Sequence, residues 1–170
     1  LIIKEIKMTQ RPTYPNLRIK EGNDELFKSL SQVLADTFAL YLKAHNFHWN
    51  VVGPNFPQYH DFFGDLYEEL HGAVDPIAEQ IRAIGYFVPG TLQKFAQMSV
   101  ISAKDPADGY TCEDMFKELL DDNDRVSSSI TQAYNIAERC GEIGLSNFLQ
   151  DRADIHKKHR WQIKATANMR

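Results

Sequence analysis

Five side chains in this sequence have the types and spacing to hold a transition metal: His45, His48, His60, Asp75 and Glu79. Imidazole nitrogen mixed with carboxylate oxygen suits iron, zinc or manganese. Asp75 and Glu79 stand four apart, so on a helix they share one face. Taken singly, each has a plainer reading. A histidine near a helix end is ordinarily a hydrogen-bonded surface residue, and an Asp-x-x-x-Glu step is ordinarily a solvated face. Distance sharpens the question. On one continuous helix His60 and Asp75 lie about 22 Å apart, too far to bind one ion from the same chain. A two-fold contact between identical chains would bring His60 of one beside Asp75 and Glu79 of the other. If these residues share a metal, the site lies between subunits.

The elements that must position them are helical. Apolar residues recur at three- and four-residue steps, and no stretch alternates with period two. A first helix is expected from the N-cap Asn23 to about Asn50, with Leu26, Leu30, Val33, Leu34, Phe38, Tyr41 and Leu42 on its apolar face. Val51-Val52-Gly53-Pro54 breaks it. A second begins near Asn55 with Pro57 in its first turn. It carries Tyr59, Phe62, Phe63, Leu66, Tyr67, Leu70, Val74, Ile77, Ile81 and Ile84, and stops at Gly85. Pro76 lies inside that pattern, so a bend is expected near residues 72–76. Residues 86–110 read as a long connection holding a short helix at Thr91–Ala96. Thr111-Cys112-Glu113-Asp114 resembles a capping box for a third long helix to about Arg139. Its stripe is Leu119, Leu120, Val126, Ile130, Ala133, Tyr134 and Ala137. After Gly141 and Gly144 a fourth covers about 143–166, with Leu145, Phe148, Leu149, Ala153, His156 and Ile163 facing inward.

Short connections within each pair and one long crossover between pairs select an all-α, ferritin-like four-helix bundle. The expected organisation is an N-terminal tail over 1–22, the bundle over 23–167 and a short tail over 168–170. The usual metal site inside such a bundle needs two facing Glu-x-x-His steps. This chain has one, Glu68 to His71, so an intrabundle di-metal site is effectively excluded.

With 170 residues, 43% hydrophobic and 25% charged, the chain suits one soluble globular domain. No apolar run could span a bilayer and no leader opens the chain, so the expected location is cytoplasmic; Leu1 is an odd first residue. Cys112 and Cys140 fall near opposite ends of one helix, about 42 Å apart, beyond disulfide reach. The net charge of −4 opposes wholesale nucleic-acid binding, yet both ends are basic. Lys4, Lys7, Arg11, Arg18 and Lys20 crowd residues 1–21, and Lys157, Lys158, Arg160, Lys164 and Arg170 the last fifteen. Solvated tails and cations placed well at a helix C-terminus explain them without DNA.

The segment Leu40-Tyr41-Leu42-Lys43-Ala44-His45-Asn46-Phe47-His48-Trp49-Asn50-Val51-Val52-Gly53-Pro54-Asn55-Phe56, then His60, then Asp75-Pro76-Ile77-Ala78-Glu79-Gln80-Ile81-Arg82-Ala83-Ile84-Gly85, closely resembles the Dps family of mini-ferritins. His156-Lys157-Lys158-His159-Arg160-Trp161 is similar to that family's last helix. The resemblance spans about residues 25–165. It implies a hollow homododecamer that oxidises ferrous iron with hydrogen peroxide or oxygen, stores the ferric mineral and protects DNA. The implied ferroxidase centre takes His48 and His60 from one subunit and Asp75 and Glu79 from its two-fold mate, with Trp49 beside it as a trap for stray oxidising equivalents. Glu138 and Glu142 are the implied pore candidates, near the start of the fourth helix.

One position departs from the family, which places Asp or Glu one turn after the second-helix histidine. Here that residue is Gly64. On a helix, Asp61 and Asp65 point about 60° and 100° away from its direction. One iron position should therefore survive while the second is weakened. Two other readings stand beside the ferroxidase: a nucleoid-associated, DNA-binding shell with decayed iron chemistry, and an assembly that sequesters metal without oxidising it. Any DNA binding is expected to be weak.

Overall fold

The computed structural model describes residues 23–102 and 110–169. The basic N-terminal segment, Pro106, Gly109 and Arg170 lie outside the described residues. The helices run α1 Asn23–Asn50, α2 Phe56–Ala83, α3 Leu92–Met98, α4 Cys112–Cys140 and α5 Ile143–Thr166. No strand occurs among the described residues. α1 packs on α2, α4 on α5 and α1 on α4, while α3 rides on α1.

Local chemistry explains the boundaries. Thr111 accepts from the Asp114 amide while the Asp114 carboxylate accepts from the Thr111 amide, a reciprocal capping box. Thr91 caps α3 through the Lys94 amide. Gly141 ends α4 in the left-handed region at φ 70°, and the amides of Gly141 and Glu142 close on Glu138 and Ala137. α2 runs unbroken through Pro76.

The core is a stack of aliphatic side chains, closed at the α1–α2 turn by aromatic rings. Phe63 lies 6.1 Å from Phe47 and 4.9 Å from Phe116, all three fully buried. Losing such a ring costs about 3–5 kcal/mol. Phe47 precedes His48 and Phe63 lies three residues after His60, so the cluster anchors the helix ends that carry both histidines. One expected apolar-face assignment changes. Leu42 is 46% exposed rather than packed inward. Phe38, Tyr41, Tyr59, Phe62 and Tyr67 are partly buried and pack against the core, as expected of the apolar faces.

Buried polar residues, not anticipated in the apolar stripes, tie the layers. Asp36 is fully buried. It accepts from Gln32, Ser99 Oγ, the Val100 amide and Ser129 Oγ, fastening the crossover and α4 to α1. A buried carboxylate is tolerated when its lone pairs are filled in this way. Lys43 donates to Glu118 at 3.1 Å and also to Asp122, so an ammonium of the chain itself sits between the acids where α1 faces α4. α2 and α5 stand farther apart. Between them runs a groove of about 360 Å³ lined by Asp65, Glu69 and His159 among others, bridged by an Arg152–Glu69 ion pair.

Candidate metal centre

The turn Val51–Asn55, with Gly53 at φ 123°, folds the end of α1 back against the start of α2. Only glycine adopts such a φ readily. This places two imidazoles face to face, with ring centroids 3.7 Å apart and planes 24° from parallel. His48 Nδ1 lies 2.8 Å from the His60 carbonyl, and His60 Nδ1 lies 2.9 Å from the His48 carbonyl. A carbonyl only accepts, so each Nδ1 must carry the proton. In the neutral ring Nε2 then keeps the lone pair, the form in which imidazole ligates a metal. The His48 carbonyl belongs to the last turn of α1, where no helix amide is available, so the bond also caps that helix.

Around this pair runs a band of rings on the outer side of α1 and α2. Tyr67 meets His48 edge-on at 5.2 Å and stacks on His45 at 4.0 Å. His45 in turn lies 4.0 Å from Trp49, and Tyr41 lies 5.0 Å from His71. Burial first, then the neighbouring His48 and His71, hold the His45 imidazole below its ordinary range. His45 is thus part of this stack rather than of the His48–His60 pair. Trp49 is 60% exposed and touches His45, so it is not a core tryptophan. Phe56, 41% exposed, lies 4.9 Å from His60 at the other end of the band.

Asp75 and Glu79 are exposed further along α2 and do not join the histidine pair within the chain. Among the described residues, no three His, Cys, Asp or Glu side chains form a metal-binding group. A metal held by His48 and His60 therefore needs donors from beyond the described part of this chain. Glu68 and His71, the lone Glu-x-x-His step, are both exposed. Asp61 is exposed, and Asp65 turns toward the α2/α5 groove. An ideal Cβ on Gly64 would meet only the His48 ring, at 3.5 Å.

His156 is buried as the helix pattern predicts, but the sequence did not show the pairings of three polar groups: the Asp36 hub, the Lys43–Glu118–Asp122 cluster, and a chain formed by Asn123, His156, Arg152, Glu69 and His159. His156 Nδ1 pairs with Asn123 at 2.8 Å, and His159 Nε2 lies 3.3 Å from Glu69. Burial is the main cause that pushes His156 well below its ordinary range and His159 down to about 4. A signal did exist for Asp36 and Lys43. They continue the core spacing of Val33, Leu40 and Phe47, where a charge must have buried partners.

The bundle, its single crossover and the outward-facing histidine pair define a ferritin-like protein. The family model for the ferritin-like domain matches residues 27–169. DNA protection during starvation protein 2 of Bacillus anthracis is 32% identical over 86% of this chain and 99% of its own. The solved structure of Dps from Staphylococcus aureus superimposes with a TM-score of 0.78 at 35% identity, covering 85% of this chain and 95% of that one. Dps from Bacillus brevis gives 0.80 at 28% identity, covering 86% and 97%. The chain belongs to the Dps family of ferritin-like proteins. No helix among the described residues is long and apolar enough to cross a membrane.

Proposed function

We propose that the protein is an iron-storage ferroxidase of twelve identical subunits, whose centres lie at two-fold interfaces. His48 and His60 bind ferrous iron through Nε2, and the partner's Asp75 and Glu79 complete the centre and offset its charge. One observation carries this reading: the reciprocal Nδ1–carbonyl bonds stack the His48 and His60 rings on a partly exposed, aromatic face and leave both Nε2 atoms for a ligand. In the neutral form, imidazoles held this way ligate through Nε2 while keeping the Nδ1 proton. Exposed Leu42, Trp49, Val52 and Phe56 on or beside that face support its burial against a second copy.

Fe(II) is the substrate and hydrogen peroxide or oxygen the oxidant. With peroxide, each of two ferrous ions gives up one electron. The O–O bond breaks, two protons are taken up, and two ferric ions and two waters result. Pairing the two electrons avoids the hydroxyl radical that a lone ferrous ion produces, which is how the shell would protect DNA. Ferric product collects in the hollow interior. Trp49, reached from His48 through His45 and Tyr67, is a sink for any stray oxidising equivalent. The DNA-binding shell is less favoured: Arg160, one of the C-terminal cations, is paired with Asp124 at 3.0 Å, and each chain carries −4.

The test joins assembly to oxidation. Light scattering should give about twelve times 19.5 kDa, and His48→Ala, His60→Ala, Asp75→Ala and Glu79→Ala should each slow Fe(II) oxidation at least tenfold while helicity persists. A monomer at micromolar concentration with full activity, or wild-type rates in both carboxylate variants, would refute the intersubunit centre.

A further inference from the structure

Gly64 stands in the middle of α2 without a reason in its own chain. Its φ is not among the positive values found at Gly53, Gly85 and Gly141. A Cβ there would make only ordinary contact with the His48 ring. Glycine weakens a helix interior, and here it leaves a space beside the His48 ring.

Helix geometry says what faces it. At 100° per residue, His60, Gly64, Tyr67, His71 and Asp75 fall within an arc of about 80°, with His71 near its middle. His71 is exposed, sits 5.0 Å from the Tyr41 ring and helps to lower the pKa of His45, so it shares the face that carries His48. A two-fold contact that brings His60 opposite the partner's Asp75 must pair the two α2 helices antiparallel. Advancing one turn from His60 on one helix is then a retreat of one turn from Asp75 on the other. That step sets Gly64 opposite the partner's His71.

We infer that the partner's His71 supplies the protein ligand at the second metal position, in the space that Gly64 leaves open beside His48. This rests on the intersubunit centre proposed above. The centre then has three imidazoles and two carboxylates, one fewer negative charge than a set with a carboxylate at position 64. A neutral donor holds a trivalent ion less tightly than a carboxylate does, relative to a divalent one. The second position thus takes up Fe(II) and passes Fe(III) on.

Co(II) titration of the metal-free assembled protein tests this without turnover, by calorimetry and by the visible d–d bands. Wild type should bind one Co(II) tightly and one more weakly per centre. His71→Ala should weaken the second at least tenfold and alter its bands, leaving the first intact. His71→Ala combined with Gly64→Asp should restore the second site. If His71→Ala impairs assembly, His71→Gln, which keeps a polar group of similar size, must give the same selective loss in the dodecamer. Unchanged affinities and bands in the His71 variants would overturn the inference. His60→Ala and Asp75→Ala separate the two ideas. If they abolish tight binding while the His71 variants are silent, only the role of His71 fails; if they too are silent, the intersubunit centre fails.

Discussion

Replacing Gly64 with aspartate perturbs the centre by one methylene and one charge. The new Cβ lies 3.5 Å from the His48 ring, so it enters at ordinary contact distance and displaces nothing in its own chain. Leaving glycine improves the helix by a few tenths of a kcal/mol. The carboxylate stands one turn from His60, about 6 Å along and 40° round the helix. At an effective dielectric of 20, one pair of unit charges 4 Å apart gains about 4 kcal/mol, and a divalent ion about twice that. Desolvation and displacement of the neutral donor cancel most of it, leaving about 1.4–2.8 kcal/mol, or 10- to 100-fold in affinity. Without metal the sign reverses. In the proposed intersubunit centre the added carboxylate would join the partner's Asp75 and Glu79, and like charges at this range cost about 1 kcal/mol, or 2–4 °C in the thermal midpoint. Gly64→Asp should therefore melt below wild type when metal-free and above it with saturating Zn(II), with the second Zn(II) binding at least tenfold more tightly. The reasoning is refuted if wild type already binds two Zn(II) equally and the substitution moves neither affinity nor midpoint.

Other consequences are as direct. Asp36→Ala leaves four donors without their acceptor around a buried site and should cost about 3 kcal/mol, with amide exchange at Val100 speeding up; Asp36→Asn, which keeps the Oδ1 acceptor, should cost about 1 kcal/mol. Equal losses in the two variants would count against the hub. The folded pKa of His159 lies near 4, below its unfolded value of about 6.5, so the unfolded chain binds the extra proton between these limits and stability falls as pH drops through that window. The loss reaches about 3 kcal/mol for His159, and His156 adds to it; thermal midpoints that stay flat from pH 7 to 4.5 would contradict this. Any DNA binding should weaken steeply with salt and vanish when residues 1–21 are removed and Lys157 and Lys158 become glutamine. Gel shifts insensitive to both changes would place the contact elsewhere.

Much of this protein is written locally in its sequence. The capping box at Thr111, the stop at Gly141, the break at Gly53-Pro54 and the 3.6-residue stripes set the helix ends, because each depends on side chains within a turn of the backbone group they satisfy. The long crossover between two short-looped pairs selected the bundle. The candidate ligands were legible as types and spacings, and His60 and Asp75 were already too far apart along one helix to share an ion. Whether Leu42 and Trp49 face core or solvent was not legible, since an apolar residue on the edge of a stripe serves either side equally. Nor was the partner of each buried charge. Asp36 reaches Ser99 and Ser129, and Lys43 reaches Glu118 and Asp122, contacts made 63 to 93 residues away in the chain. The reciprocal carbonyl bonds that fix both histidine tautomers likewise exist only once α1 and α2 pack side by side. Spacing along the chain names which groups are available, while hydrogen-bond partners are chosen by proximity in space, and that is decided only when the apolar faces of separate helices are buried together.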